Sequence, residues 1–149
     1  MAKAPDERKS APDVAIRSIM AADTLDIRQA VLWPGLPRHD LMLEEDAEGT
    51  HFGAFVDGEI IAIISLFRTP HGVRFRKFAT LSDWRGNGIG TRLLRHALSW
   101  AQAEGADRIW CDARLSAKAF YERLGFEAEG NVFQKAGVAY IVMARGIGG

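Results

Sequence analysis

Arg85-Gly86-Asn87-Gly88-Ile89-Gly90-Thr91 is the stretch on which the reading of this chain turns. Glycine at alternate positions permits a tight turn and a close backbone approach, and it leaves several amides pointing at one spot. The stretch lies between a predicted strand and the start of a predicted helix, whose macrodipole adds roughly half a positive charge at that end. Arg85 supplies a planar donor fork suited to phosphate. Such a spot binds anions, and a pyrophosphate is its natural occupant.

Glycine-rich strand-to-helix turns also occur in P-loop and dinucleotide-binding proteins, and glycines can do no more than shape a helix start. The P-loop requires Gly-Lys followed by Ser or Thr, which is absent here. A dinucleotide fingerprint belongs to an early βαβ unit with an acid about 20 residues further on. In this chain three antiparallel strands are predicted ahead of the turn.

Beyond the turn, Ile89, Leu93, Leu94, Ala97, Trp100 and Ala101 recur at helical spacing, which predicts an amphipathic helix over 89–104 stopped by Gly105. Arg108–Ala113 reads as a strand. Ser116 can cap a short helix, Ala117–Arg123, ended by Gly125, and alternation from Phe126 leads to a final strand at Val138–Met143. Ahead of the turn, Val73–Leu81 reads as a strand entered through Thr69-Pro70-His71-Gly72. Phe52–Val56 and Ile60–Phe67 flank Asp57-Gly58, a pair suited to a tight hairpin. Val14–Ile19 is a further short strand. Asp23 or Thr24 can cap a helix carrying Leu25, Ile27, Ala30 and Val31, broken by Trp33-Pro34-Gly35-Leu36-Pro37, and a long polar connection then runs to Thr50. The order strand, helix, three antiparallel strands, helix, strand, helix, strand, strand predicts an α/β (α+β) fold, with a mixed sheet and helices on both faces.

With 149 residues, 48% hydrophobic and 26% charged, the chain has the size and balance of one soluble domain. Its formal net charge of zero gives no reason to expect a nucleic-acid partner. Met1–Pro12 carries no apolar run, so it matches neither a secretory leader nor a membrane span. We expect a flexible tail over 1–13, a folded domain over 14–145 and a second tail over 146–149. One cysteine, Cys111, excludes an internal disulfide framework and favours a reducing compartment, the cytoplasm.

The turn, the helix after it, the next strand and the segment Ala117-Lys118-Ala119-Phe120-Tyr121-Glu122-Arg123-Leu124-Gly125-Phe126 together resemble the GNAT superfamily of N-acetyltransferases. The family's phosphate signature, Arg or Gln followed by x-x-Gly-x-Gly, is met by Arg85, Gly88 and Gly90, and Tyr-x-x-Leu-Gly-Phe is a second match. The resemblance implies a GNAT-like, mostly antiparallel sheet over roughly 14–144. It implies acetyl-coenzyme A as cosubstrate, no metal, and a small-molecule or peptide amine as acceptor. Backbone amides of Gly86, Asn87, Gly88, Ile89, Gly90 and Thr91 would hold the pyrophosphate. The strand edge at Phe78, Ala79 and Thr80 would take the pantetheine arm and polarise the thioester. Tyr121 would give a proton to the departing thiolate, the alternative being a structural tyrosine packed beside Phe120 and Leu124. Association into a homodimer is left open.

The chain departs from the family pattern where a glutamate base is frequent, here Ile109, and where an asparagine is frequent, here Arg114. The base is therefore unassigned among Asp112, Glu44, Glu45 and His51. A non-catalytic acyl-coenzyme A sensor remains the alternative to an enzyme. Cys111 reads as a buried filler rather than an acyl carrier. His39, His51, His71 and His96 lack metal-ligand spacing, and Glu44, Glu45 and Asp46 read as a solvated loop. Arg74, Arg76 and Lys77 could receive an acidic group or decorate an exposed strand. Trp33, Phe52 and Phe67 could wall an acceptor pocket or fill the core.

Overall fold

The computed structural model describes residues 13–148; the expected N-terminal tail through residue 12 lies outside them, as does Gly149. The strands are β1 (Ala15–Ile19), β2 (Thr50–Val56), β3 (Glu59–Thr69), β4 (Gly72–Thr80), β5 (Arg108–Arg114), β6 (Glu127–Lys135) and β7 (Val138–Gly146). The α-helices are α1 (Leu25–Ile27), α2 (Ile89–Ala103) and α3 (Lys118–Arg123). The sheet order is β1-β2-β3-β4-β5-β7-β6. β4 and β5 pair in parallel, while β1 with β2, β2 with β3, β5 with β7 and β6 with β7 are antiparallel. This is the mixed sheet that the element order predicts, and it is mostly antiparallel, as the family resemblance implies. The chain forms two compact units, one running to Leu66 and resuming over Lys77–Ala97, the other made of Phe67–Arg76 and the chain from Leu98 onward.

In the first unit, Asp57 and Gly58 both adopt left-handed φ values, 51° and 80°, and the β2–β3 hairpin closes around them with Val56 opposite Glu59. Ile61, Ile63, Ala62 and Ile64 are all buried, so this part of β3 is covered on both faces. The expected first helix is irregular. A 3-10 turn over Ala21–Thr24 leads into α1 and then a π turn over Arg28–Leu32, closed by the Trp33 amide donating to Arg28 O at 3.0 Å. Local side-chain bonds compete with the regular ladder here. The Met20 amide donates to the Asp23 carboxylate at 3.0 Å, and the Thr24 hydroxyl donates to Ala21 O at 2.6 Å. Neither side chain caps α1. Ile27, Ile63 and Ala79 form a buried cluster on which Ile19, Val31, Leu32, Ile60 and Leu81 pack. Helix α2 buries Ile89, Leu93, Leu94 and Ala97, as its periodicity requires. It ends at the predicted place, with Gly105 and Ala106 amides bonded back to Gln102 O and Ala101 O.

In the second unit, the parallel ladder takes in Val73 opposite Ile109 and Arg74 opposite Trp110. Gly72 makes that approach feasible: at φ 110° a Cβ there would stand 2.3 Å from Arg108 O. β5 buries Ile109, Cys111 and Ala113, β7 buries Ile141 and Met143, and Phe75 and Phe126 complete this core. Ser116 does not cap α3; it lies inside a 3-10 turn, Leu115–Ala117, and α3 begins at Lys118 with no side-chain cap. At the other end, Gly146 pairs with Arg108, and the amide of buried Ile147 donates to Asp107 O at 3.0 Å. Strand pairing and docking thus continue past 145, into residues the sequence suggested as tail, because Ile147 has an apolar side chain to bury.

Candidate active site

The glycine turn and the end of β4 lie in the first unit. A 3-10 turn over Ser82–Trp84 carries the chain from β4 towards the glycines, and Asn87 folds back to donate from Nδ2 to Trp84 O at 3.2 Å. Gly86 and Gly88 hold φ values of 81° and 77°, which a side chain would strain. The first helical bond runs from the Arg92 amide to Gly88 O at 3.0 Å. Ile89, Gly90 and Thr91 therefore present first-turn amides with no earlier helical carbonyl to accept them. A Cβ on Gly90 would sit 3.5 Å from the Phe78 ring and 3.6 Å from Thr80 Oγ1, so the start of α2 meets the end of β4 at van der Waals distance. Arg85 is exposed and donates weakly from Nε to Thr80 O at 3.4 Å. Lys77 interrupts β4 at φ 55°, a local irregularity of the kind that re-aims a strand. Phe78, Ala79, Thr80, Arg85 and residues 86–91 are thereby gathered into one place, with a cluster of helix-start amides beside a strand end. The arrangement fits a pyrophosphate followed by an extended amide-bearing arm.

Tyr121 belongs to the second unit and is buried among aromatic rings, with centroids 5.1 Å from Phe120, 5.6 Å from Phe126 and 5.9 Å from Phe75. Burial, and then the Cys111 thiol that it faces and to which it hydrogen-bonds, push the phenol well above its ordinary value, so it stays protonated. Cys111 is itself buried, and desolvation raises its thiol from the ordinary 9.0 to about 12. Such a thiol is not a neutral-pH nucleophile.

The suggested bases fare unequally. Asp112 accepts from Arg74 at 2.8 Å and from Lys135 at 3.2 Å, and Arg74 also lies over the Trp110 ring. Glu44 is exposed and Glu45 half-buried. The expected solvated acidic loop is corrected at Asp46, which is buried and receives Arg28 in a two-pronged ion pair at 2.7 and 2.9 Å. His51 is also buried, with Nδ1 2.7 Å from Ser65 Oγ and Nε2 3.0 Å from Asp46 O. Both its nitrogens are engaged in structure. Burial alone would raise the Asp46 carboxyl; the Arg28 and Leu43 hydrogen bonds and the Arg28 charge outweigh it and hold the pKa below 3.8. This network went unseen in the sequence, where nothing distinguishes Asp46 from its acidic neighbours. Phe52 and Phe67 fill the core, whereas Trp33 is 51% exposed. His39 pairs with Asp40, the His71 carbonyl accepts from Arg108, and His96 meets the Phe52 ring edge-on.

Residues 16–126 match the family model described as the acetyltransferase (GNAT) family. YitI of Bacillus subtilis, described as an uncharacterized N-acetyltransferase, is 33% identical over 138 residues, covering 86% of this chain and 93% of its own. Among solved structures, the ribosomal-protein-S18-alanine N-acetyltransferase of Escherichia coli superposes with a TM-score of 0.76 at 20% identity, over 91% of this chain and 95% of its own. An aminoglycoside 6'-N-acetyltransferase in complex with coenzyme A gives a TM-score of 0.71 at 19% identity, over 89% of this chain and 97% of its own. At those identities the structural likenesses speak for the fold. The family match across most of the chain, with YitI along nearly its whole length, places this acyltransferase in the acetyltransferase (GNAT) family.

Proposed function

We propose that the chain moves an acetyl group from acetyl-coenzyme A to an amine by direct attack within a ternary complex, with Tyr121 as the general acid. The observation that carries this reading is the pair of left-handed glycines, Gly86 and Gly88, opening α2 where Gly90 meets Phe78 and Thr80. Amides over 86–91, with Arg85 beside them, are suited to the pyrophosphate, and β4 at Phe78, Ala79 and Thr80 to the pantetheine arm. The cosubstrate supplies the acetyl group as an activated thioester. Tyr121 supports the assignment through its held proton, although burial lowers its acidity as well as securing it. Its main contribution is then a strong hydrogen bond to charge developing on sulfur, with proton transfer following. Direct attack is favoured over a covalent carrier because Cys111 keeps its proton and is buried. The acceptor is a small-molecule or peptide amine, and the lone unpaired cysteine suits the cytoplasm.

Melting curves and thiol release test the reading together. At a hundredfold excess over its Kd, acetyl-coenzyme A should stabilise the native state by about 2.7 kcal/mol, with NAD and ATP doing little at equal concentration. Equal stabilisation by NAD would contradict the site. Stabilisation without free-thiol release across a panel of primary amines would favour the sensor alternative, which Ile109 and Arg114 motivate.

A further inference from the structure

We propose that Arg28, paired with Asp46 and closed by Ser65 and His51, is a positioning device that holds the connection after Trp33 as a pre-formed wall on the acceptor side of the site; this rests on the acetyl-transfer reading above. Arg28 is wholly buried, and its guanidinium reaches four acceptor atoms on three residues. Nη1 donates to Leu41 O at 3.0 Å and to Asp46 Oδ2 at 2.7 Å; Nη2 donates to Asp46 Oδ1 at 2.9 Å and to Ser65 Oγ at 3.0 Å. Asp46 Oδ2 also accepts the Leu43 amide at 2.7 Å. A carbonyl only accepts, so His51 Nε2 carries the proton donated to Asp46 O, while Nδ1 and the Ser65 hydroxyl share the second hydrogen bond. The neighbouring Gln29 adds a bond from Nε2 to Leu36 O at 2.9 Å. Two consecutive residues of one π turn thus hold the connection at Trp33, Leu36, Leu41 and Asp46.

A connection this long with little regular structure is ordinarily loose unless something fixes it. A buried ion pair is a poor way to gain stability, since desolvation offsets most of the attraction and apolar replacements often do as well. Arg28 Nε even lacks a partner among the described residues. Fixing one geometry is the role that accounts for the arrangement. The place fixed matters. Ile27, the residue before Arg28, is buried in the same cluster as Ala79, and Leu32 and Leu81 each pack against that cluster. The π turn therefore borders the end of β4 assigned to the thioester. Trp33 and Met42, 51% and 44% exposed, are the large apolar side chains the fixed connection offers to solvent.

Native-state hydrogen exchange and steady-state kinetics test this on two variants. Ser65→Ala removes one acceptor from Arg28 and the partner of His51 Nδ1 while adding no bulk. Arg28→Met with Asp46→Leu fills the same space with apolar groups and recovers stability without the clamp. In both, amides over 33–46 should exchange at least about tenfold faster while those of β2 and β3 stay as in the wild type. With acetyl-coenzyme A and the fastest primary amine of the panel, the amine KM should rise about tenfold while kcat and acetyl-coenzyme A affinity hold. Uniformly faster exchange would show a general stabiliser and overturn the proposal, as would wild-type protection over 33–46 in the double variant. A parallel fall in kcat and cosubstrate affinity would overturn it too. If the wild type acetylates no amine, the acetyl-transfer reading fails, and exchange alone decides whether the clamp exists.

Discussion

Substituting Gly90 by Glu separates the two things this glycine does. Its backbone is outside the left-handed region, and a Cβ would make ordinary contacts at 3.5 and 3.6 Å, so the turn need not move. Without ligand the variant should be more stable. Glutamate is a better helix former than glycine, and an acid in the first turn opposes the helix dipole, together about 1 kcal/mol or roughly 3 °C in Tm. Binding should change in the opposite direction. A carboxylate about 5 Å from a bound pyrophosphate is repelled by about 3 kcal/mol at an effective dielectric near 20, which is about two decades in affinity. Gly90→Gln supplies the same bulk without the charge, so the difference between the variants isolates electrostatics and should shrink at high salt. Calorimetric titration with acetyl-coenzyme A, alongside melts of the free proteins, measures both. A folded Gly90→Glu variant that binds within about twofold of the wild type would place the pyrophosphate elsewhere.

Tyr121→Phe keeps the ring contacts with Phe75, Phe120 and Phe126. It should therefore retain cosubstrate affinity while kcat falls by about 10²-fold to 10⁴-fold; a wild-type rate, with chemistry shown to be rate-limiting, would assign the proton to water or another group. Because burial raises the Cys111 thiol from 9.0 to about 12, its native thiolate fraction near pH 8 is about 10³-fold below that of the unfolded chain, and a thiol-specific disulfide reagent should react slower by a similar factor. A raised folded-state value also means stability is lost as pH climbs from about 9 to about 12, where the unfolded thiol ionises first. Cys111→Ala should flatten that alkaline decline, and equal decline in both proteins would contradict the assignment.

The legible parts of this molecule are those whose cause is local. Asp57-Gly58 names its own turn, since a tight hairpin needs two left-handed residues and these two accept them. Ile89, Leu93, Leu94 and Ala97 announce one buried face of α2, and Gly105 its end. The alternation of Gly86, Gly88 and Gly90 predicts a turn that a side chain would strain, and Gly86 and Gly88 adopt that backbone. Where local rules compete, the reading weakened. Asp23 and Thr24 looked like helix caps, yet both spend their side chains on the turn before α1. Ser116 likewise had the right chemistry and the wrong place.

The amino-acid sequence by itself therefore determined the order of the elements, the hairpin, the amphipathic helix and the backbone of the glycine turn. Each depends on residues a few positions apart. Tertiary structure alone decided which acid of Glu44-Glu45-Asp46 turns inward, because the reason is Arg28 on another element, with Ser65 and His51 delivered by the register of β2 and β3. It alone brought Gly90 against Phe78 and Thr80. A buried charge is tolerable only when it is paired and hydrogen-bonded, and groups that far apart along a chain come together only after the sheet has formed.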